Sequence, residues 1–141
     1  MPPLVPPGAR RLHDQPPGRS ALAQLALENA VEGCVNETFG ALLAGYQARH
    51  AGDAALGRAM RAIEADETRH AELAWEVAAW LDARLTVAER RRVAEARRQA
   101  GAVLVERAGA PVDRTLVRDA GLPPPATARA LAAAAHRALF A

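Results

Sequence analysis

The chain has 141 residues, enough for one modest domain rather than two. Alanine supplies 36 residues and aromatic side chains only 4%, which favours helices and argues against a β-sandwich or barrel, because sheets are rich in β-branched and aromatic residues. The formal net charge of +2 hides a segregation: residues 21–85 carry ten acids and five arginines, and residues 86–141 carry ten arginines and five acids. This separation of charge indicates that the acidic and basic segments pack against each other, or that the basic segment forms a surface for a partner.

Other features limit the compartment and the partners. Acidic and basic residues interrupt every apolar stretch before 18 residues, which argues against a membrane-spanning helix. The N-terminus lacks the apolar core of a secretory signal, and a single cysteine, Cys34, cannot form an intrachain disulfide. We therefore expect a cytoplasmic protein with no membrane partner.

The first predicted elements are a leader and a helical hairpin. Residues 1–19 hold six of the ten prolines and are predicted to be an extended or disordered leader. Ser20 is a plausible N-cap for a helix over residues 21–48. Gly52 and Asp53 then favour a turn and the N-cap of a second helix over residues 54–84. Two long helices joined by so short a break predict an antiparallel hairpin, and residues 20–85 form this unit.

The remaining residues, 86–141, are predicted to be arginine-rich helices that pack on the hairpin. Thr86 and Glu89 have the spacing of a capping box and begin a helix that extends to about residue 107. A short helical turn near residues 115–120 and a last helix at about residues 126–140 follow. The predicted fold class is thus all-α, a two-helix hairpin completed by C-terminal helices into a small bundle.

One pair of side chains on the second helix suggests metal chemistry. Glu67 and His70 are three residues apart, so they lie side by side on one helical face. At about 100° per residue, Glu67 falls at the centre of an apolar stripe and His70 close to its axis, which predicts that both are buried. A buried carboxylate beside a buried imidazole is costly without a partner, and a metal cation would be one. A hydrogen-bonded polar pair in the core is the alternative. The stripe comprises Leu56, Met60, Ile63, Ala74, Val77, Leu81 and Leu85.

The first helix offers two carboxylates for the same site. Glu32 and Glu37 both reach the level of Glu67 when the hairpin folds. A helical wheel favours Glu32, because it lies within the stripe of large apolar residues. Glu37 lies on a face of small residues and qualifies if another helix packs closely there. Two carboxylates and an imidazole suit iron or manganese, and zinc uses them in other arrangements.

These segments also carry a family resemblance. The stretch ALENAVEGCVNET, followed by IEADETRHAELAW, resembles the ferritin-like superfamily of rubrerythrins and bacterioferritins, and more narrowly the C-terminal half of bacterial ferritin-like domains. In that superfamily each helix pair contributes a Glu and, some 30 to 35 residues later, a Glu-x-x-His motif; Glu37 and Glu32 stand 30 and 35 residues before Glu67. The resemblance implies a di-iron oxidoreductase, with ferroxidase, peroxidase or iron-storage activity. It covers about residues 21–85.

The chain departs from that pattern in having one such helix pair instead of two. Either two chains associate to build a di-metal centre, in a homodimer or higher oligomer, or the chain is a truncated relative with an incomplete site. The alternative function is a non-catalytic helical bundle without metal. Nucleic acid is not expected as a partner, because the arginines of the third predicted helix pair with glutamates three residues away and no aromatic residues interleave.

Overall fold

A computed structural model describes residues 20–141, and within this range the secondary structure is entirely helical, which confirms the predicted all-α class. The predicted leader, residues 1–19, lies outside the described residues. No helix of the described part combines the length and the apolar character needed to span a membrane. The elements are α1 (Ala21–Glu28), the π-helical π1 (Asn29–Glu37), α2 (Thr38–His50), α3 (Ala54–Asp82), α4 (Val87–Ala108), α5 (Arg114–Asp119), α6 (Pro125–Ala135) and the π-helical π2 (His136–Phe140).

The predicted N-caps begin the long helices. The Ser20 hydroxyl accepts a hydrogen bond from the backbone N–H of Ala23, and the Asp53 carboxylate accepts one from Leu56. Thr86 and Glu89 form the predicted capping box, each side chain accepting from the other's backbone N–H. Each cap satisfies N–H groups that have no partner within their own helix.

Three contiguous segments, α1, π1 and α2, form one rod over residues 21–50, called here the first rod. Its central π-helical part was not predicted from the sequence. Because π-helical hydrogen bonds run from residue i to i+5, each turn holds more residues than an α-turn. A wheel drawn at 3.6 residues per turn therefore assigns wrong relative directions across Asn29–Glu37.

Helix α3 packs antiparallel to the first rod through a seam of small residues. A Cβ atom placed on Gly33 would lie 2.8 Å from the Cβ of Ala74, and one placed on Gly40 would lie 3.5 Å from a carboxylate oxygen of Glu67. Leu25 and Leu42, from the large-residue stripe of the first rod that favoured Glu32, are not buried in this seam and remain 47% and 40% exposed. Small side chains let the two backbones approach closely, which large ones would prevent.

The C-terminal helices α4 and α6 pack on each other and on the first rod. Val35 on the rod is buried against Ala135 and Phe140, with Trp75 at the edge of this cluster. A second cluster joins the start of α1 to the end of α3 through Ala23, Ala26, Leu81 and Leu85. The middle of α3 therefore keeps one flank that no helix of the described chain covers extensively.

Residues after α4 also secure the turn of the hairpin. The backbone N–H groups of Gly52 and Asp53 donate to the carbonyls of Arg118 (3.0 Å) and Asp119 (3.2 Å). The chain then turns at Gly121, whose φ of +68° is accessible chiefly to glycine. A Cβ atom there would also clash with the backbone nitrogen of Ala51, so both the backbone conformation and the close contact require glycine.

Candidate metal centre

Three predicted ligands lie together on the uncovered flank of the hairpin. Glu37, Glu67 and His70 each offer one ligand atom, and these atoms all lie within 4.8 Å of one another. The imidazole Nδ1 of His70 is 3.8 Å from a carboxylate oxygen of Glu37. This is the one cluster of three or more such side chains found in residues 20–141.

The local folding explains how the three meet. Glu67 and His70 stand three residues apart on α3, so their side chains are neighbours on its surface. Glu37 is the last residue of π1, on the small-residue side of the first rod. Gly40 lies one turn further along the rod and leaves room for the Glu67 carboxylate. The close seam thus brings acids from two helices within reach of one another.

The structure places the other first-helix candidate, Glu32, away from this cluster. Glu32 is exposed, and its carboxylate accepts a hydrogen bond from the side-chain amide of Asn36 at 2.9 Å. The helical wheel that favoured Glu32 was misleading for two reasons. It assumed α-helical geometry through a π-helical segment, and it took the large residues as the face turned toward α3.

The predicted burial of the pair on α3 is also wrong. The His70 side chain is 60% exposed and that of Glu37 36% exposed, while Glu67 is half-buried. Ile63, from the same stripe, is 43% exposed. The physical reason is that α4 and α6 pack on the first rod instead of on this flank of α3.

The electrostatics of the cluster are those of two acids held close together. The pKa of Glu37 is raised above its ordinary value, mainly by its hydrogen bond with the carboxyl of Glu67, and further by partial burial and the Glu67 charge. His70 acts in the opposite direction. Carboxylates crowded in this way bind a proton or a cation more readily than isolated ones.

Beside the cluster, a groove runs along the seam between the first rod and α3. Its lining includes Glu37, His70 and the exposed Leu73. Within it the side-chain amide of Asn29 donates to the backbone carbonyl of Ala74 at 2.9 Å. Asn29 was not singled out from the sequence. Its position on the small-residue face, two turns before Glu37, could have indicated that it lies in this groove.

Cys34, which neighbours these acids in sequence, does not face the cluster. It is fully buried and contacts the carbonyl of Ala74 through its sulfur. Burial raises the pKa of this thiol, and the nearby Arg97 charge partly opposes the effect. Cys34 therefore behaves as a small core residue.

Comparison with known proteins gave no match: neither protein-family models, nor curated proteins, nor solved structures resemble this chain significantly.

Proposed function

We propose that this chain is a ferritin-like metal-binding protein that holds iron through Glu37, Glu67 and His70 and has ferroxidase- or peroxidase-type redox activity in an oligomer. The observation that carries the proposal is the convergence of two carboxylates and one imidazole within 4.8 Å. Manganese would suit the same oxygen-rich donor set. A π-helical turn at Glu37 fits this role, since such turns occur frequently at functional sites.

The donor set passes a test of fit for a divalent cation. The two acids face each other across the seam and raise the pKa of Glu37, so a cation between them would replace repulsion with attraction. His70 supplies a nitrogen ligand on the exposed side of the pair. When bound, iron would supply one-electron redox chemistry, and open coordination positions would admit the oxidant. The chain's own contribution is to fix three ligands on two rigid helices.

A second copy of the chain is the proposed partner, because three protein ligands leave much of an iron coordination sphere unfilled. Two triads facing each other would supply six ligands and carboxylates able to bridge two ions. The flank that carries His70 also exposes apolar side chains at helical spacing: Ile63 (43%), Leu73 (59%) and Trp80 (51%). Association of two copies through this flank would remove these side chains from water.

Metal binding is tested by anaerobic dialysis of the purified protein against Fe²⁺, followed by metal analysis. We expect about one iron per chain in the native protein and in Glu32→Gln, the matched control on the same rod. Glu67→Ala and His70→Ala are expected to lose roughly tenfold or more in affinity, because each removes a ligand. Substoichiometric iron in the native protein, or equal binding by all variants, would refute the proposal.

The mass of the protein in solution, measured by light scattering with and without Fe²⁺, tests the partner separately. We expect a dimer or larger assembly, and a shift toward monomer in Leu73→Arg, since a buried unpaired charge opposes association. A protein that binds iron but stays monomeric would support the proposed metal site and refute the proposed association of two copies. Iron oxidation in air by the native protein but not by Glu67→Ala would support the redox activity.

The alternative function, a helical bundle without metal, is favoured by the 60% exposure of His70. On this alternative the exposed flank would serve association alone. The dialysis experiment separates the two, because the bundle would associate without retaining iron.

A further inference from the structure

A second cleft lies between the hairpin and α4, apart from the proposed metal centre. This open cleft has a volume of about 310 Å³, at the lower end of the range of small-molecule sites. Ala30 from the first rod, Leu81 and Leu85 from the end of the hairpin and Val93 from α4 form apolar walls. None of the three proposed metal ligands lines this cleft, so a ligand here would bind independently of the proposed metal.

One cationic side chain, Arg97 of α4, lines this cleft without a partner. Its Nε atom is buried and has no hydrogen-bond acceptor. Its guanidinium carbon lies 5.4 Å from the ring centre of Trp75, another lining residue. A desolvated guanidinium nitrogen without an acceptor is unfavourable. Because this Nε is covered by the protein itself, a ligand in the cleft would reach the guanidinium through its terminal nitrogens, and Arg97 as a whole is only half-buried.

The surroundings explain which ligand chemistry fits. Asp82 is the only acid that lines the cleft, yet no carboxylate in residues 20–141 lies within 4.0 Å of Arg97. The next residue, Arg98, differs from Arg97 in both exposure and pairing. It is exposed, and its Nε donates a hydrogen bond to the carboxylate of Glu95 at 2.9 Å. Arg97 is therefore turned inward with its charge unpaired, while its neighbour is satisfied at the surface.

We propose that this cleft binds a small organic anion, a carboxylate with a short apolar chain. The carboxylate pairs with the guanidinium of Arg97, because planar guanidinium donors match carboxylate geometry. The apolar chain lies against Leu81, Leu85 and Val93, which removes apolar surface of both partners from water. Trp75 covers the guanidinium face and reports on occupancy.

The test uses octanoate as the probe and the full-length, metal-free protein. The chain has two tryptophans, so the indole N–H signal of Trp75 can be assigned by nuclear magnetic resonance with the variant Trp80→Phe. We expect a saturable shift of the Trp75 signal with millimolar octanoate, and no such shift with octylamine, which has the same chain and the opposite charge. A missing or unsaturable response to octanoate, or an equal response to octylamine, would overturn the proposal.

Three arginine variants locate the anion. Arg97→Met keeps much of the side-chain volume and is expected to weaken octanoate binding by roughly tenfold or more, the scale of a lost charge-assisted hydrogen bond. Arg98→Met, the matched control, is expected to leave affinity within about twofold, because an exposed pair contributes little. Arg97→Lys keeps the charge and guards against a folding defect: it should retain part of the binding and melt near the native temperature. Native-like affinity in Arg97→Met would refute the assignment.

Discussion

Replacing Glu67 by glutamine should stabilise the metal-free protein. Carboxylate oxygens of Glu37 and Glu67 lie within 4.8 Å of each other. At that distance two unit charges repel by about 0.9 kcal/mol in bulk water and about 3.5 kcal/mol at an effective dielectric constant of 20. Glu37 is 36% exposed and His70 lies beside it, so solvent and the imidazole weaken the repulsion. We therefore take the lower value for the repulsion energy, about 1 kcal/mol. For a domain of this size that raises the melting temperature by roughly 2–5 °C.

The sign of the pH dependence follows from the raised pKa of Glu37. The folded protein holds this proton more tightly than the unfolded chain, so the associated stability is present below the ordinary carboxyl pKa of 4.5. It is lost as the pH rises through the raised value. Glu67→Gln removes the facing acid, so the stability difference between variant and native protein should grow from acidic to neutral pH.

The assay is thermal unfolding in a chelator between pH 4 and 8, with Glu32→Gln as the control for removing an exposed carboxylate from the first rod. The control should melt within about 1 °C of the native protein, in keeping with a surface substitution. Equal melting temperatures for native protein and Glu67→Gln at neutral pH would refute the repulsion. A difference in melting temperature between Glu67→Gln and the native protein that becomes smaller as the pH rises would also refute it.

Three other substitutions test the seam and the core. Gly33→Ala should lower the free energy of unfolding by about 1–3 kcal/mol, because its Cβ would lie 2.8 Å from that of Ala74. Gly40→Ala, whose Cβ would have its nearest contact at 3.5 Å, should be neutral or stabilising by up to about 1 kcal/mol. Chemical denaturation measures both free energies, and a Gly40→Ala protein less stable than Gly33→Ala would contradict this reasoning. Trp75→Phe removes the indole N–H that donates to the buried Thr38 hydroxyl at 3.0 Å, so urea unfolding should show a loss of about 1–2 kcal/mol, and an unchanged midpoint would contradict that role.

The sequence allowed the helices and their starts to be predicted because those depend on local chemistry. Caps such as Asp53 and Thr86 act on N–H groups two or three residues away, so spacing alone reveals them. The pairing of Glu67 with His70 is equally local, being set by one helical turn.

The rest depended on longer-range geometry. The choice between Glu32 and Glu37 was set by the π-helical turn and by the small-residue seam, and neither follows from amphipathic periodicity. The exposure of His70 depends on where α4 and α6 pack, and helical wheels carry no information about which face distant helices choose.

The contacts beyond α4 have a consequence for how the hairpin keeps its shape. At the turn it is hydrogen-bonded to the carbonyls of Arg118 and Asp119, and at the open end the Ser20 hydroxyl donates to Glu89 at 2.9 Å. Residues 86–141 are thus hydrogen-bonded to both ends of the hairpin. Between these two points Glu37, Glu67 and His70 lie within 4.8 Å of one another, so the helix ends and the side-chain cluster belong to one hydrogen-bonded framework.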